Sequence, residues 1–396
     1  MKSNICCYFL FILFLIFSCT STVEKNSKKF TINGDILGQS SGRIILNYSP
    51  GSIQLYDTVL IKNGKFKFSG SIPEPILAQI TSEDGLNTAD FYIEPGKMFI
   101  TLSKNKFKDF KMTGSKTQNE LDQLNLMLAS INKKLLNIRK EQELINKKIM
   151  NTNDRTELIK LQQEAKEYDD KSSSLRTDLN STYLKFVQEN PQSYITPYYL
   201  DVLSINGVIS YDLLKSIFYG LQSNIQNSKI GKKIQEKIRK KDNIIVGATL
   251  PDFTAIDLNN KTISLSQFKN KNVVIIDFWA SWCEGCRAAF PHYKTLYNKY
   301  NSQGLEIVAF SFKDNDKEAW RSAIDQDHIN MWHHVATFFR NGDTINRGIV
   351  ENYPLDGVPL TVLVGKNGKV LGSWLGYSPE YEQSLDKILT EIFNIK

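Results

Sequence analysis

The chain has 396 residues, of which 41% are hydrophobic and 23% charged, and a formal net charge of +7. This composition is typical of a folded protein and excludes both a disordered chain and a protein with many membrane spans. The length exceeds that of one ordinary hydrophobic core, so we expect two or three domains. The modest positive charge is not a nucleic-acid-binding signature, and we expect no nucleic-acid partner.

The chain begins with a segment that has the pattern of a secretion signal. Lys2 is basic, and residues 8–17 form an apolar stretch too short to span a membrane comfortably. The stretch ends in Ile16-Phe17-Ser18-Cys19, which resembles the cleavage box of bacterial lipoproteins, whose cysteine carries the lipid. We therefore predict a signal peptide over 1–18, lipidation of Cys19 and a membrane-anchored protein of the cell envelope or periplasm. A plain signal anchor with an incidental cysteine is the alternative.

The segment after Cys19 predicts a tether followed by a β domain. Residues 19–29 are polar, as in a flexible tether. Residues 30–113 alternate apolar and polar positions between Gly and Ser turns, and Asn63-Gly64 is a strong hairpin signal. We predict an all-β sandwich or barrel there. The segment holds no cluster of catalytic residue types, so its function stays unassigned.

Residues 114–242 predict a helical linker domain. The sequence "NTND" interrupts a heptad pattern, and Asp154 is suited to cap a second helix. We predict an antiparallel helical hairpin, because the connection is short. An intermolecular coiled coil that forms a homodimer is the alternative. The first apolar stripe consists of Leu121, Leu124, Leu128, Ile131, Leu135, Ile138, Ile145 and Ile149.

Residues 247–396 alternate β and α segments. The run "NVVIIDFWA" predicts a strand buried on both faces, and a helix is expected from Cys283 to about residue 300. Hairpins are predicted in "PDFTAIDLNNKTISLSQF" and "PLTVLVGKNGKVLGSW", and the last segment is an amphipathic helix. The predicted fold class is thus multi-domain, with a β domain, a helical region and a C-terminal α/β domain.

Five cysteines define the thiol chemistry of the chain. Cys6 and Cys7 leave with the predicted signal peptide, and Cys19 would carry lipid. Only Cys283 and Cys286 then remain in the mature chain. A disulfide between them closes so short a loop that it stabilises the fold little, which indicates a chemical rather than a structural role.

The order of the C-terminal segments and the sequence "VVIIDFWASWCEGC" resemble the thioredoxin superfamily. Together with "GVPLTVLVGKNGKV" they are similar to envelope-tethered thiol:disulfide oxidoreductases related to the alkyl hydroperoxide reductase and thiol-specific antioxidant group. The front half resembles Bacteroidetes-like lipoproteins with a β domain of unknown function. The resemblance implies a thioredoxin fold over 247–396 and protein-disulfide exchange as the activity.

The two cysteines receive distinct roles. Cys283 lies at the start of the predicted helix, where backbone N–H groups and the helix dipole favour a thiolate, so it is the expected nucleophile. Cys286 lies one turn later and would resolve the mixed disulfide. Asp277 lies within a buried strand, where a carboxylate is costly unless it has a function. The resemblance implies that Asp277 is the proton acceptor for Cys286.

Four further residues complete the predicted site. The resemblance implies that Pro359 is a cis-proline facing the disulfide. Because proline has no N–H, the backbone of Val358 would pair with an extended substrate. Trp282 is expected to pack beside the cysteines and limit solvent, and Glu284 to contact substrate between them.

The direction of electron transfer follows from the residues around Cys283. A negative charge at Glu284 disfavours the thiolate form, and the Glu284-Gly285 dipeptide has no histidine to stabilise it, which favours a reductase over an oxidase. Related reductases commonly have an acidic residue at the position of Ala289, whereas this chain has no carboxylate there to tune the thiols. The chain has no dinucleotide-binding fingerprint. We expect no cofactor, a membrane thiol-reductant protein as electron donor and oxidised envelope proteins as substrates.

Three alternatives remain open. A zinc site would need further ligands such as His292, His333 or His334. A thiol peroxidase would place a proline and a threonine before its nucleophile, and "FWASW" has neither. A ligand- or partner-binding lipoprotein with a regulatory redox domain is the third alternative, against which the intact cysteines, Asp277 and Pro359 argue.

Overall fold

The computed structural model describes residues 28–337, 346, 351–355 and 357–394. Its contacts divide the chain into one unit that ends at Gly231 and a second that begins at Lys232. The predicted signal peptide and Cys19 lie outside the described residues. Among the helices that are described, none is long and apolar enough to cross a membrane.

The first unit begins with an eight-stranded sheet of order β6-β5-β2-β3-β4-β1-β7-β8. The strand β1 runs parallel to β7, and the other pairs are antiparallel. A short 3₁₀ helix, Phe107–Asp109, precedes the last strand. The strands are β1 Lys28–Leu37, β2 Ser41–Tyr48, β3 Leu55–Lys62, β4 Lys65–Ile72, β5 Ile76–Ser82, β6 Thr88–Ile93, β7 Gly96–Ser103 and β8 Lys111–Thr113.

The sheet bends at the hairpin between β3 and β4, and its buried residues form one core. Asn63 and Gly64 adopt positive φ angles of 52° and 75°, as a tight hairpin turn requires. Within the described strands, β3 and β4 pair at one position, Lys62 with Lys65, so they diverge beyond the turn. The buried faces of both halves share one core, in which the rings of Phe30 and Tyr48 meet edge-on with centroids 5.5 Å apart. The predicted all-β domain is thus confirmed as a half-barrel sheet.

The predicted helical hairpin is also confirmed. Asp154 caps the second helix, since its carboxylate accepts hydrogen bonds from the amides of Thr156 at 2.7 Å and Glu157 at 3.2 Å. The intermolecular coiled coil stays a prediction. The helices of this region are α1 Lys116–Asn151, α2 Arg155–Glu189, α3 Thr196–Ile205, α4 Tyr211–Gly220, α5 Ser223–Gln226 and α6 Lys229–Asp242.

The second unit contains a thioredoxin fold. The hairpin of β9 and β10 is followed by a five-stranded sheet of order β13-β12-β11-β14-β15. All seven residues of β11 are buried, as its apolar run predicts. The strands are β9 Thr254–Ile256, β10 Thr262–Ser264, β11 Val273–Trp279, β12 Leu305–Ser311, β13 His333–Ala336, β14 Leu360–Val364 and β15 Val370–Leu375; the helices are α7 Glu284–Tyr300, α8 Lys317–Gln326 and α9 Pro379–Asn394; the 3₁₀ helices are Leu265–Phe268 and Asn301–Gln303.

Candidate active site

The two cysteines lie where the central strand β11 passes into α7. Cys283 is the N-cap of this helix, one residue before its first helical position, and its sulfur accepts a hydrogen bond from the amide of Cys286 at 3.2 Å. The two residues form a disulfide with their Cα atoms 5.3 Å apart. Cys283 is 8% exposed and Cys286 1%. Cys283, the residue predicted to attack substrate, is therefore the more exposed of the two cysteines.

The N-terminus of α7 favours a thiolate at Cys283. The first amides of a helix lack partners within the helix and carry the positive end of its dipole. In the disulfide form the amide of Cys286 donates to the Cys283 sulfur, and a donor at this place would stabilise a thiolate after reduction. Ala289 is buried in the same core cluster as both cysteines, so no carboxylate occupies that position of the helix.

A buried carboxylate fixes the loop in front of the cysteines. Asp314 is fully buried, and its Oδ1 accepts hydrogen bonds from both the amide of Ser281, at 2.8 Å, and the Ser281 hydroxyl. Its Oδ2 accepts from the hydroxyl of Ser311 at 2.7 Å. Sequence reasoning missed Asp314, because it follows β12 and lies 33 residues from Ser281 in the chain. The contact joins two loops at the same end of the sheet.

Trp282, which is expected to limit solvent at the cysteines, is hydrogen-bonded to the loop after β12. Its indole N–H donates to the carbonyl oxygen of Lys313 at 3.0 Å, and 43% of the residue is exposed. Glu284 is exposed as the first residue of α7. Both side chains are thus accessible next to Cys283.

The loop before β14 carries the predicted proline. The Val358–Pro359 peptide bond is cis, as the resemblance implied. The side chain of Val358 packs against the core cluster that contains both cysteines. The carbonyl oxygen of Pro359 accepts a hydrogen bond from the amide of Gly376 at 2.9 Å, which ties this loop to the end of β15.

Asp277 lies on β11 with its carboxyl group inside the protein. It is opposite Thr361 on β14 and Ala309 on β12, and is 1% exposed. Its Oδ1 accepts hydrogen bonds from the Thr361 hydroxyl at 3.1 Å and the Tyr293 hydroxyl at 3.2 Å. Its Oδ2 is buried and has no hydrogen-bond partner among the described residues.

Burial sets the proton affinity of this carboxyl group. Loss of solvent raises the pKa of Asp277 to about 7, although the hydrogen bonds from Thr361 and Tyr293 act in the opposite direction. A carboxyl group with a pKa near neutrality can both accept and release a proton under physiological conditions. A buried carboxyl group of this kind, on the strand that leads to the cysteines, is chemically able to act as a proton acceptor.

The histidines that were considered as metal ligands have other contacts. The Nε2 of His292 lies 2.7 Å from an Asp386 oxygen, and the Nε2 of His334 lies 2.8 Å from the Ile329 carbonyl oxygen. The Nε2 of His333 is 3.5 Å from Glu306. No group of three possible metal ligands occurs in the described part of the chain.

Comparisons with known proteins match two parts of the chain. The redoxin family matches residues 245–389, and a domain of unknown function (DUF4369) matches residues 30–121. The chain is 34% identical to the thiol-disulfide oxidoreductase ResA of Bacillus subtilis over 131 residues, which cover 33% of this chain and 68% of the relative. It is 30% identical to ResA of Bacillus anthracis over 138 residues, which cover 34% of this chain and 73% of the relative.

Two solved structures from Bacteroides are similar to part of this chain. The thioredoxin domain of a thiol-disulfide oxidoreductase from Bacteroides vulgatus is 29% identical, with a TM-score of 0.32, and the match covers 37% of this chain and 99% of that one. A thiol:disulfide interchange protein from Bacteroides sp. is 26% identical, with a TM-score of 0.32 and coverages of 38% and 92%.

Fold and site together define a thioredoxin-like oxidoreductase domain. Its elements are a central buried strand, a CxxC pair at the start of a helix and a cis-proline before the next strand. The sequence similarity gives the family. The chain belongs to the redoxin/thioredoxin-like thiol-disulfide oxidoreductases and carries a DUF4369 domain in its N-terminal part.

Proposed function

We propose that this protein reduces disulfide bonds of envelope proteins through the Cys283–Cys286 pair. The observation that carries the proposal is the disulfide at the N-terminus of α7, in which Cys283 is the more exposed cysteine. Reduction needs a stabilised thiolate that attacks and a second thiol that resolves the intermediate. The amide at the Cys283 sulfur and the one-turn spacing of Cys286 support these two roles.

The reaction transfers two electrons from the reduced pair to the substrate. The Cys283 thiolate attacks one sulfur of the substrate disulfide, which breaks the S–S bond and releases a substrate thiolate that takes up a proton. Cys286 gives its proton to Asp277 and attacks the Cys283 sulfur. The mixed disulfide breaks, its substrate sulfur leaves as a thiolate that takes up a proton from solvent, and the enzyme is left with the Cys283–Cys286 disulfide.

Substrate binding is proposed for the surface around Cys283. Trp282 is a partly exposed aromatic residue, and Glu284 is an exposed acidic residue. An extended substrate segment would pair with the backbone of Val358, next to the cis-proline Pro359. Contacts with an aromatic ring and with the substrate backbone depend little on the substrate side chains, so this surface should bind flexible segments of many different sequences.

The reductase direction rests on the electrostatics at the helix start. A strong oxidant is one whose reduced thiolate form is highly stabilised. The Glu284 carboxylate next to Cys283 opposes that stabilisation, although its exposure lets solvent screen the effect. We propose that a membrane thiol-reductant protein returns the enzyme to the dithiol form and that lipid at Cys19 holds it in the cell envelope.

A resolving-cysteine variant tests the proposed function. In Cys286→Ser the second step is blocked, so Cys283 should accumulate as mixed disulfides with its substrates. After rapid acid quenching of cells, we expect higher-mass species that disappear on reduction and whose partners are envelope proteins identified by mass spectrometry.

The double variant Cys283→Ser/Cys286→Ser is the matched control and should trap nothing. Absence of trapped partners from the single variant, in cells where the protein is folded and abundant, would count against disulfide exchange as the function. Trapping of cytoplasmic proteins alone would contradict the envelope substrates.

A further inference from the structure

Asp277 is the end point of a chain of buried hydroxyl groups from three elements. The Tyr293 hydroxyl on α7 lies 3.2 Å from Asp277 Oδ1, 2.8 Å from the Thr361 hydroxyl on β14 and 2.5 Å from the Tyr381 hydroxyl on α9. Tyr293 is 1% exposed, Thr361 0% and Tyr381 4%. Three elements thus converge on one buried carboxyl group.

The numbers of protons on these groups decide which of them donate and which accept in the hydrogen-bond network. An ionised carboxylate accepts hydrogen bonds but donates none, and each hydroxyl has a single proton to donate. Tyr293 and Thr361 therefore both donate to Asp277 Oδ1, as their distances allow. The Tyr381 hydroxyl then donates to the Tyr293 oxygen, which strengthens the bond from Tyr293 to the carboxylate.

The carboxylate has no cationic partner in the part of the chain that the structure describes. On β12 the residue opposite Asp277 is Ala309, which carries no charge. On α9, Tyr381 faces the site, and the ring of Tyr377, whose hydroxyl donates to Glu382, packs against it. On α7, Tyr293 follows Cys286 by seven residues, so both side chains share one face of the helix. Hydrogen bonds from the Tyr293 and Thr361 hydroxyl groups, rather than a positive charge, stabilise the ionised carboxylate.

We propose that Tyr293, held in place by Tyr381, is a positioning residue that controls proton exchange between Asp277 and the Cys286 thiol. The inference rests on the proposed function, in which Cys286 must lose its proton before it attacks. In that step the proton leaves Cys286 and Asp277 becomes a neutral carboxylic acid, with the buried Oδ2 open to hold it. Donation from Tyr293 favours the ionised carboxylate and keeps Asp277 ready to accept the proton at lower pH.

The test is the pH profile of the Tyr293→Phe variant of the full chain. We measure the single-turnover rate of protein-disulfide reduction against pH. The midpoint of its fall at low pH should lie about one pH unit higher in the variant, because the ionised Asp277 carboxylate has lost a hydrogen-bond donor. The rate near pH 6 should fall about tenfold and the rate near pH 9 should stay at the unsubstituted value. Tyr381→Phe should shift the midpoint in the same direction by less.

Tyr297→Phe is the matched control. Tyr297 lies one turn further along α7, and its hydroxyl contacts the Met331 carbonyl oxygen rather than the Asp277 network. Its pH profile should equal that of the unsubstituted chain. An unshifted midpoint in a folded Tyr293→Phe protein would overturn the inference, and if that variant fails to fold, an unshifted midpoint in Tyr381→Phe would overturn it.

A titration without turnover separates this inference from the proposed function. The carboxyl carbon of Asp277 is followed by NMR in the reduced full chain, with Asp277→Asn to assign the signal. A higher pKa in Tyr293→Phe supports the role of the hydroxyl chain, and an unchanged pKa contradicts it. If the unsubstituted chain reduces no disulfide while the pKa still moves, the proposed function fails and the tuning of Asp277 stands.

Discussion

Replacing Cys283 with serine should reduce the rate of protein-disulfide reduction by at least about 10³-fold. The attacking species is a thiolate, and a serine hydroxyl is not ionised under the same conditions. The helix N-terminus and the Cys286 amide stabilise charge at this position only if the side chain can carry it. The measurement is insulin reduction by the pre-reduced full chain, followed through the appearance of insulin thiols.

The comparison needs proteins in the same redox state. Cys283→Ser lacks the disulfide, so its thermal unfolding is compared with that of the reduced unsubstituted chain. Equal unfolding with lost activity identifies Cys283 as the nucleophile. Activity near the unsubstituted level in Cys283→Ser would place the chemistry elsewhere.

Replacing Asp277 with asparagine should stabilise the oxidised protein at alkaline pH. The pKa of Asp277 is raised in the folded protein, from 3.8 to about 7, so the folded state binds a proton that the unfolded state has released. The free energy of unfolding of the unsubstituted protein should therefore fall as pH rises from about 4 to 7. The asparagine variant lacks this dependence, and its advantage at pH 8 should reach about 2 to 4 kcal/mol.

Urea unfolding of both oxidised proteins between pH 4 and pH 8 measures this difference. The amide oxygen of asparagine can still accept from Thr361 and Tyr293, so the packing is conserved. If the free energy of unfolding changes with pH in the same way in both proteins, the pKa of Asp277 is not raised to about 7.

The same variant should be a poor catalyst. Without a proton acceptor for Cys286, the resolving step should slow by about 10²-fold near pH 7, whereas mixed-disulfide formation by Cys283 keeps its rate. Quenched-flow measurement of both steps separates them. Equal slowing of both steps would indicate a general distortion of the site.

Local patterns in the sequence predicted much of the redox domain. The buried strand β11 follows from its unbroken apolar run, and the helix α7 from the residues after it. Cys283 and Cys286 stood out once the other cysteines had been assigned to the signal and the lipid. The cis-peptide bond at Pro359 followed from the resemblance rather than from its neighbours.

The remaining features depend on contacts between distant parts of the chain. Tyr293 reaches Thr361 over 68 residues and Tyr381 over 88, and only the strand register and helix packing bring them to Asp277. A local indication was the spacing of seven residues between Cys286 and Tyr293, which puts the Tyr293 side chain on the same face of α7 as Cys286. The position of the Trp282 side chain likewise depends on the loop after β12, to which it is hydrogen-bonded.

A single-turnover exchange tests the central claim most directly. The full chain is reduced, freed of reductant and mixed with an excess of a protein disulfide, and both partners are quantified by thiol alkylation and mass spectrometry. We predict that one substrate disulfide is reduced for each chain that acquires the Cys283–Cys286 disulfide, and that the reverse reaction from the oxidised chain is much less favourable. If Cys283 and Cys286 remain thiols and the substrate disulfide remains intact, the proposed disulfide exchange is contradicted.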